Sequence, residues 1–183
     1  MTKLLIRLPT PSEQTSQSFI HHVVKLVNEA YASTESNLYK PGQLRTNDAE
    51  VQAWLASRTL HLAFSPDTAY PIGSVRVYKV DARVADIGIL TVHRDARALG
   101  LGQQLVAHAE AIAVEQGAEI GRLEMLVPSL PQTSEAKSYL NRWYRNLGYE
   151  EVGRASIAEI VPQLVESFEE ASEFLIMEKA LLK

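Results

Sequence analysis

Gly100 and Gly102 stand two apart between an apolar, β-branched run, Val84 to Val92, and a stretch carrying Leu105, Val106, Ala109, Ile112 and Ala113 at helical spacing. This arrangement restricts the possible folds more than any other feature of the chain. A strand that passes through a glycine turn into a helix presents backbone N–H groups at the helix start, where no side chain obstructs an anion. The first N–H groups of a helix have no partner within it, and the macrodipole adds only about 0.3–1 kcal/mol, so the donors supply most of any phosphate affinity. Arg97 brings a cation to the same turn. Two other phosphate loops fail on spacing. There is no G-x-x-x-x-G-K-[ST], and Leu105 stands where a dinucleotide-binding G-x-G-x-x-G needs its third glycine. For an isolated G-x-G, a tight turn without a ligand is the plainer alternative.

The patterns around this turn alternate in type. Lys3 to Leu8 reads as a strand. Phe19, Ile20, Val23, Val24, Leu26, Val27 and Ala30 give an amphipathic helix that ends near Tyr31, and Asn47-Asp48-Ala49-Glu50 resembles a capping box opening a short helix. Leu60 to Phe64, Ser74 to Val80 and Val84 to Val92 form an antiparallel meander separated by turn residues. A helix then runs to Gly117, followed by a strand from Leu123 to Val127 and a helix from Ser134 to Leu147 closed by Gly148. Late strands at Tyr149 to Arg154 and Phe174 to Lys179 flank a short helix around Ile160 to Phe168. Two helices, a meander and then β-α-β-α-β predict an α/β (α+β mixed) fold, a mixed sheet with helices on both faces. No repeat or linker divides the 183 residues, so one continuous domain, 1–183, is expected.

Composition narrows the chemistry. A chain of this length buries roughly 70% of its unfolded surface and needs no staple to fold. The absence of cysteine excludes disulfides, thiolate metal sites and a cysteine nucleophile, and fits a reducing, cytoplasmic location. His21 and His22 are adjacent and His61, His93 and His108 scattered, so no metal is expected. A net charge of −4 and a pI near 5.8 argue against nucleic acid as a partner. No stretch approaches the roughly 20 apolar residues of a membrane span.

Leu90-Thr91-Val92 followed by Arg97-x-x-Gly100-x-Gly102 resembles the acetyl-CoA motif of the GNAT N-acetyltransferases, [Q/R]-x-x-G-x-[G/A]. Trp143-Tyr144-Arg145-Asn146-Leu147-Gly148-Tyr149 is similar to the family's second hallmark, a helix ending Y-x-x-x-G-[F/Y]. The resemblance spans about Ile72 to Leu181 and departs at Arg94, where members often carry proline. It implies a mostly antiparallel six- or seven-stranded sheet, splayed at the cofactor site, and acetyl-CoA as co-substrate. The turn Arg97, Ala98, Leu99, Gly100, Leu101 and Gly102 would bind the pyrophosphate, and Leu90, Thr91 and Val92 the pantetheine, as if it were an added strand. Lys137, Arg142 or Arg145 would meet the 3′-phosphate, unless that helix face is simply solvated.

Transfer to an amine needs a neutral nucleophile and a proton for the departing thiolate, while an alkylamine of pKa near 10.4 is mostly protonated at pH 7. The resemblance makes Tyr144 the acid, against the alternative of a core tyrosine whose hydroxyl is tied to backbone. Asp86, eleven residues before Arg97 where histone-type members carry a glutamate, is the candidate base, and Glu124 is the alternative carboxylate. Glu35 would attract a cationic amine. The acceptor, a small-molecule or peptide amine, is expected near the segment from Tyr31 to Arg45, with Tyr31, Tyr39 and Trp54 as packing residues or a lid. The protein would act as a monomer or homodimer. A non-catalytic acyl-CoA-binding module is the rival reading.

Overall fold

The computed structural model describes residues 4–35, 38–129, 135–168 and 172–182. Lys3 and Ser134, where the sequence places the starts of a strand and a helix, lie outside the described residues. Seven strands form one sheet: β1 (Leu5–Arg7), β2 (Leu60–Phe64), β3 (Pro71–Lys79), β4 (Val84–Val92), β5 (Ile120–Pro128), β6 (Glu150–Ser156) and β7 (Ser172–Ala180). Their order is β1-β2-β3-β4-β5-β7-β6, antiparallel everywhere except between β4 and β5.

Helices cover both faces. On one lie α1 (Pro11–Thr15), α2 (Gln17–Glu35) and α3 (Asp48–Ala56); on the other lie α4 (Leu101–Glu115) and α5 (Glu135–Asn146). Phe19, Ile20, Val23 and Val27 of α2 pack with Val51, Trp54 and Leu55 of α3 onto Leu60, Leu62 and Phe64 of β2. On the opposite side Leu101, Leu105 and Ala109 of α4 pack against Val75, Val77, Ala85 and Ile87. Period 2 in the strands and 3.6 in the helices thus sort the apolar residues into two cores. A short helix α6 (Ile157–Ile160) and a 3₁₀ turn (Pro162–Ser167) bridge β6 and β7, where a single helix was expected.

Helix α2 continues a full turn past Tyr31, beyond its apolar periodicity. The Ser33 and Thr34 hydroxyls bond back to the Ala30 and Tyr31 carbonyls at 2.7 and 3.3 Å, so polar residues extend the helix and carry Glu35 inward. Only half of the expected capping box forms at α3. Asn47 accepts from the Glu50 N–H at 3.0 Å, whereas the Glu50 carboxylate accepts from the Thr46 hydroxyl at 2.9 Å. Among the described residues no helix is long and apolar enough to cross a membrane.

Candidate active site

The site begins where β4 leaves its neighbours. Parallel pairing with β5 covers Val84↔Ile120, Ala85↔Gly121 and Asp86↔Arg122 and then stops, although both strands run six residues further. On the other edge the β3 register slips between Ser74↔Thr91 and Arg76↔Gly88, so two β4 residues oppose one on β3. Ile89 sits in this bulge at φ 47°, a left-handed conformation strongly disfavoured for a β-branched side chain. The free edge of β4 from Ile87 onward therefore offers unpaired backbone groups along a wedge-shaped opening.

The glycine turn closes one end of this opening. Residues Arg94–Leu99 form a 3₁₀ turn, and Gly100 adopts φ 68° at the start of α4. The left-handed region costs an L-residue about 1–2 kcal/mol, which is why glycine belongs there. A Cβ on Gly100 would face open space, no side chain caps α4, and its first turn carries no acid. The leading N–H groups are thus available to an anion, and the turn fits a pyrophosphate. Arg97 is exposed, with its guanidinium donating to Ser33 Oγ of α2 at 3.0 Å. The side chains of Ala98 and Leu99 lie outside the described residues.

The other residues expected at the cofactor differ in what they expose. The Thr91 hydroxyl is buried against Ser74 Oγ at 2.7 Å and Leu101 is fully buried, so only their backbones face any ligand. Leu90 and Val92 are half-buried against the α4 side. Lys137 is not the free cation expected at a 3′-phosphate. It is buried, and its Nζ pairs with Glu35 Oε1 at 2.5 Å. A side chain 102 positions away along the chain claims the ammonium, a pairing that no local spacing signals.

Both candidate proton-transfer residues lie at this opening. Tyr144 packs its ring against Trp143 and Tyr149, with centroids 4.9 and 6.0 Å away. Its hydroxyl bonds to none of the described residues, yet it is not sealed from solvent. Burial, followed by the charges of Tyr31 and Glu35, pushes its pKa up, so the phenol holds its proton at neutral pH. Tyr149, the other tyrosine of the same stretch, donates to Glu110 at 3.0 Å, and Lys179 pairs with that carboxylate at 2.8 Å. The core tyrosine of this pair is Tyr149.

Asp86 stands on β4 at the last paired position before the opening, with only 7% of its surface exposed. Burial first and Glu124 second push its pKa from 3.8 to about 7, against the opposing pull of Arg76, Arg122 and Arg45. Burial also pushes Glu124 up. The Asp86 carboxyl accepts no hydrogen bond from the described residues. The hairpin before it is held instead by Asp81, which accepts from the Arg83 and Val84 N–H groups at 2.7 and 2.9 Å. Asp86 thus has no turn to stabilise.

A cavity of about 230 Å³ lies between the end of α2 and the segment that follows it, lined by Tyr31, Glu35, Tyr39 and Arg45 among others. Burial pushes the Tyr31 phenol up to about 12, opposed by Arg45 and reinforced by Glu35 and Asp86. The segment that the sequence singles out for the acceptor thus lines a cavity, and Tyr31 and Glu35 lie within electrostatic reach of Tyr144. Trp54 lies in the α2/α3 core instead, and Arg76 sits over its ring at 5.4 Å. Among the described residues no group of three or more His, Cys, Asp or Glu is placed to hold a metal ion.

Comparison with known proteins agrees with this architecture. An aminoglycoside 6′-N-acetyltransferase complexed with coenzyme A superposes with a TM-score of 0.70 at 14% identity, covering 98% of each chain. yncA, a putative acetyltransferase from Salmonella typhimurium solved with acetyl-CoA, gives 0.67 at 12% identity, covering 100% of this chain and 96% of that one. Ard1 from Thermoplasma volcanium gives 0.66 at 16% identity, covering 98% and 99%. At such identities the likeness establishes the fold. No curated protein sequence matches significantly. The profile of the acetyltransferase (GNAT) family matches residues 27–149, two thirds of the sequence including the glycine turn and both tyrosines, and the chain belongs to that family.

Proposed function

We propose that this chain is a single-domain N-acetyltransferase that moves an acetyl group directly from acetyl-CoA to a primary amine. The observation that carries the reading is the opening between β4 and β5, which has an uncapped glycine turn at one end and both Asp86 and the unpartnered Tyr144 hydroxyl beside it. Acetyl-CoA supplies an activated thioester. The protein's part is to hold it and to move protons. The Gly100 turn and the first α4 amides bind the pyrophosphate, while the free edge of β4 aligns the pantetheine arm by backbone hydrogen bonds.

An amine entering from the cavity side arrives as an ammonium. Asp86, with a pKa near 7, is balanced to accept its proton, directly or through one water, since its carboxyl has no competing hydrogen-bond partner among the described residues. The amine nitrogen then forms a bond to the acetyl carbon, the carbon–sulfur bond breaks, Tyr144 donates its proton to the thiolate, and the proton that the nitrogen loses in becoming an amide returns to the phenol through water. No covalent enzyme intermediate is needed. Holding amine and thioester together supplies much of the acceleration.

Isothermal titration with acetyl-CoA, with NAD and ATP as controls, tests the cofactor, and mass detection of acetylated amine tests the reaction. Selective micromolar binding that vanishes in Gly100→Glu is expected, because that substitution places charge and bulk where the anion lies. Absence of acetyl-CoA binding refutes the reading. Binding without turnover of any amine identifies an acyl-CoA-binding module instead.

A further inference from the structure

Two features of this cavity, two of whose lining residues lie within electrostatic reach of Tyr144, remain without a structural role. Glu35 is 4% exposed, and while Oε1 takes Lys137, Oε2 has no hydrogen-bond partner among the described residues. A buried carboxylate oxygen left unpaired is costly, and it favours a ligand that brings a donor. Arg45, on the same cavity, lies 5.1 Å over the Tyr31 ring and has no carboxylate within ion-pair distance among the described residues. Its charge is met only at longer range, by Glu35, Glu50 and Asp86, so the half-buried guanidinium can take a planar anion in its fork of N–H donors.

From these two groups we infer that the acceptor is a small amine that also bears a carboxylate, of the free amino-acid type. This rests on the acetyl-transfer reading above. The carboxylate pairs with Arg45, and the amine is drawn by Glu35 Oε2 towards Asp86 and Tyr144. Both ends agree with the surroundings: Tyr31 and Glu35 lie within electrostatic reach of Tyr144, and Arg45 within reach of Asp86. Size agrees as well. About 230 Å³ falls below the roughly 300–1,000 Å³ of pockets for drug-sized ligands, which suits one amino acid better than a peptide.

Lys137 has a positioning role here. Its Nζ holds Glu35 through Oε1 and so fixes the carboxylate with Oε2 left for the ligand. An acceptor without a carboxylate leaves Arg45 desolvated and unpaired, the kind of mismatch by which polar pockets discriminate.

The test compares matched trios, an amino acid with its carboxamide and its decarboxylated amine, across small, aliphatic and aromatic side chains. Binding is measured by titration without acetyl-CoA, and kcat/KM with it. The expected result is a preference of about ten-fold or more for the carboxylate-bearing member. Arg45→Gln should erase it by raising KM for the amino acid far more than for its carboxamide, and Arg45→Lys should restore part of it. Equal use of the trio, no binding by any amino acid, or an equal loss for all three members in Arg45→Gln overturns the inference. Arg45-dependent binding without product would refute acetyl transfer yet support the pocket assignment. Product formation without carboxylate preference would do the reverse.

Discussion

Asp86→Asn should stabilise the protein and disable it, and the stability change should depend on pH. A carboxyl whose folded pKa is raised from 3.8 to about 7 binds more protons folded than unfolded between those values. Stability therefore falls as pH rises through that window, and the full cost is reached above about pH 7. At about 1.4 kcal/mol for each pH unit, the rise sets a ceiling of about 4 kcal/mol on that cost. Asparagine carries no charge at any of these pH values and forfeits no hydrogen bond made by the carboxylate. Urea denaturation of both proteins from pH 4 to 8 should show near-equal stability at pH 4 and a growing advantage for the variant towards pH 8. The difference cancels every other titrating group. A gap that stays flat across the range, or a wild type more stable at pH 8, would refute the placement of a neutralised carboxyl on β4. Acetyl transfer should fall by about 10²-fold or more in the variant, and wild-type kcat/KM should rise with an apparent pKa near 7.

Tyr144→Phe should lower kcat by about 10²-fold with little change in melting temperature, because the lost hydroxyl bonds to no described residue; Tyr149→Phe should do the opposite, losing about 1–3 kcal/mol with its Glu110 bond. Gly100→Ala should destabilise by about 1 kcal/mol, read as a drop of roughly 2–4 °C, and weaken acetyl-CoA binding. Gly102→Ala should be tolerated in both assays, since its Cβ would meet Trp143 at 3.5 Å, an ordinary contact. Lys137→Met should cost about 3–5 kcal/mol in chemical denaturation by leaving Glu35 buried and unpaired, yet leave acetyl-CoA affinity in the folded fraction unchanged. A large loss of that affinity would return Lys137 to the nucleotide.

The elements legible in the sequence were those governed by local rules. Gly100 and Gly102 announce the turn because chirality and space near an anion act on a few adjacent residues. The meander, α4 and the order of the late strands follow from periodicity alone. Pairings across long separations were not legible: Glu35 with Lys137, His61 with His108 at 2.9 Å, and Tyr149 with Glu110 join residues 102, 47 and 39 positions apart. The overrun of α2 carries no periodic signal because its last turn is polar, and the burial of its inward glutamate depends on Lys137 of α5, 102 positions away. Asp86 could be named from its place before the turn. Its raised pKa could not, since burial and a neighbour on β5 produce it.

The bulge at Ile89 explains why these groups meet. The ladder with β5 ends at Asp86, before the bulge, and a β4 that rejoined β5 further along would leave no edge for a ligand to join. An extra residue on β4 at Ile89 and Leu90 bends the strand and adds twist beyond its last β5 pair at Asp86, which works against any return of the two strands to pairing. Strain of order 1–3 kcal/mol at a β-branched residue persists only when its surroundings hold it, and Ile89 is 5% exposed, packed among the α2 and α3 side chains of the first core. The Ser74 hydroxyl also donates to the Ile89 carbonyl at 3.0 Å and meets Thr91 at 2.7 Å, pinning both sides of the bulge. The core on one face thus maintains the opening used from both. Replacing Ile89 with glycine would relieve the dihedral strain but remove the side chain that anchors it, so the site depends on a locally unfavourable conformation supported by the packing of α2 and α3.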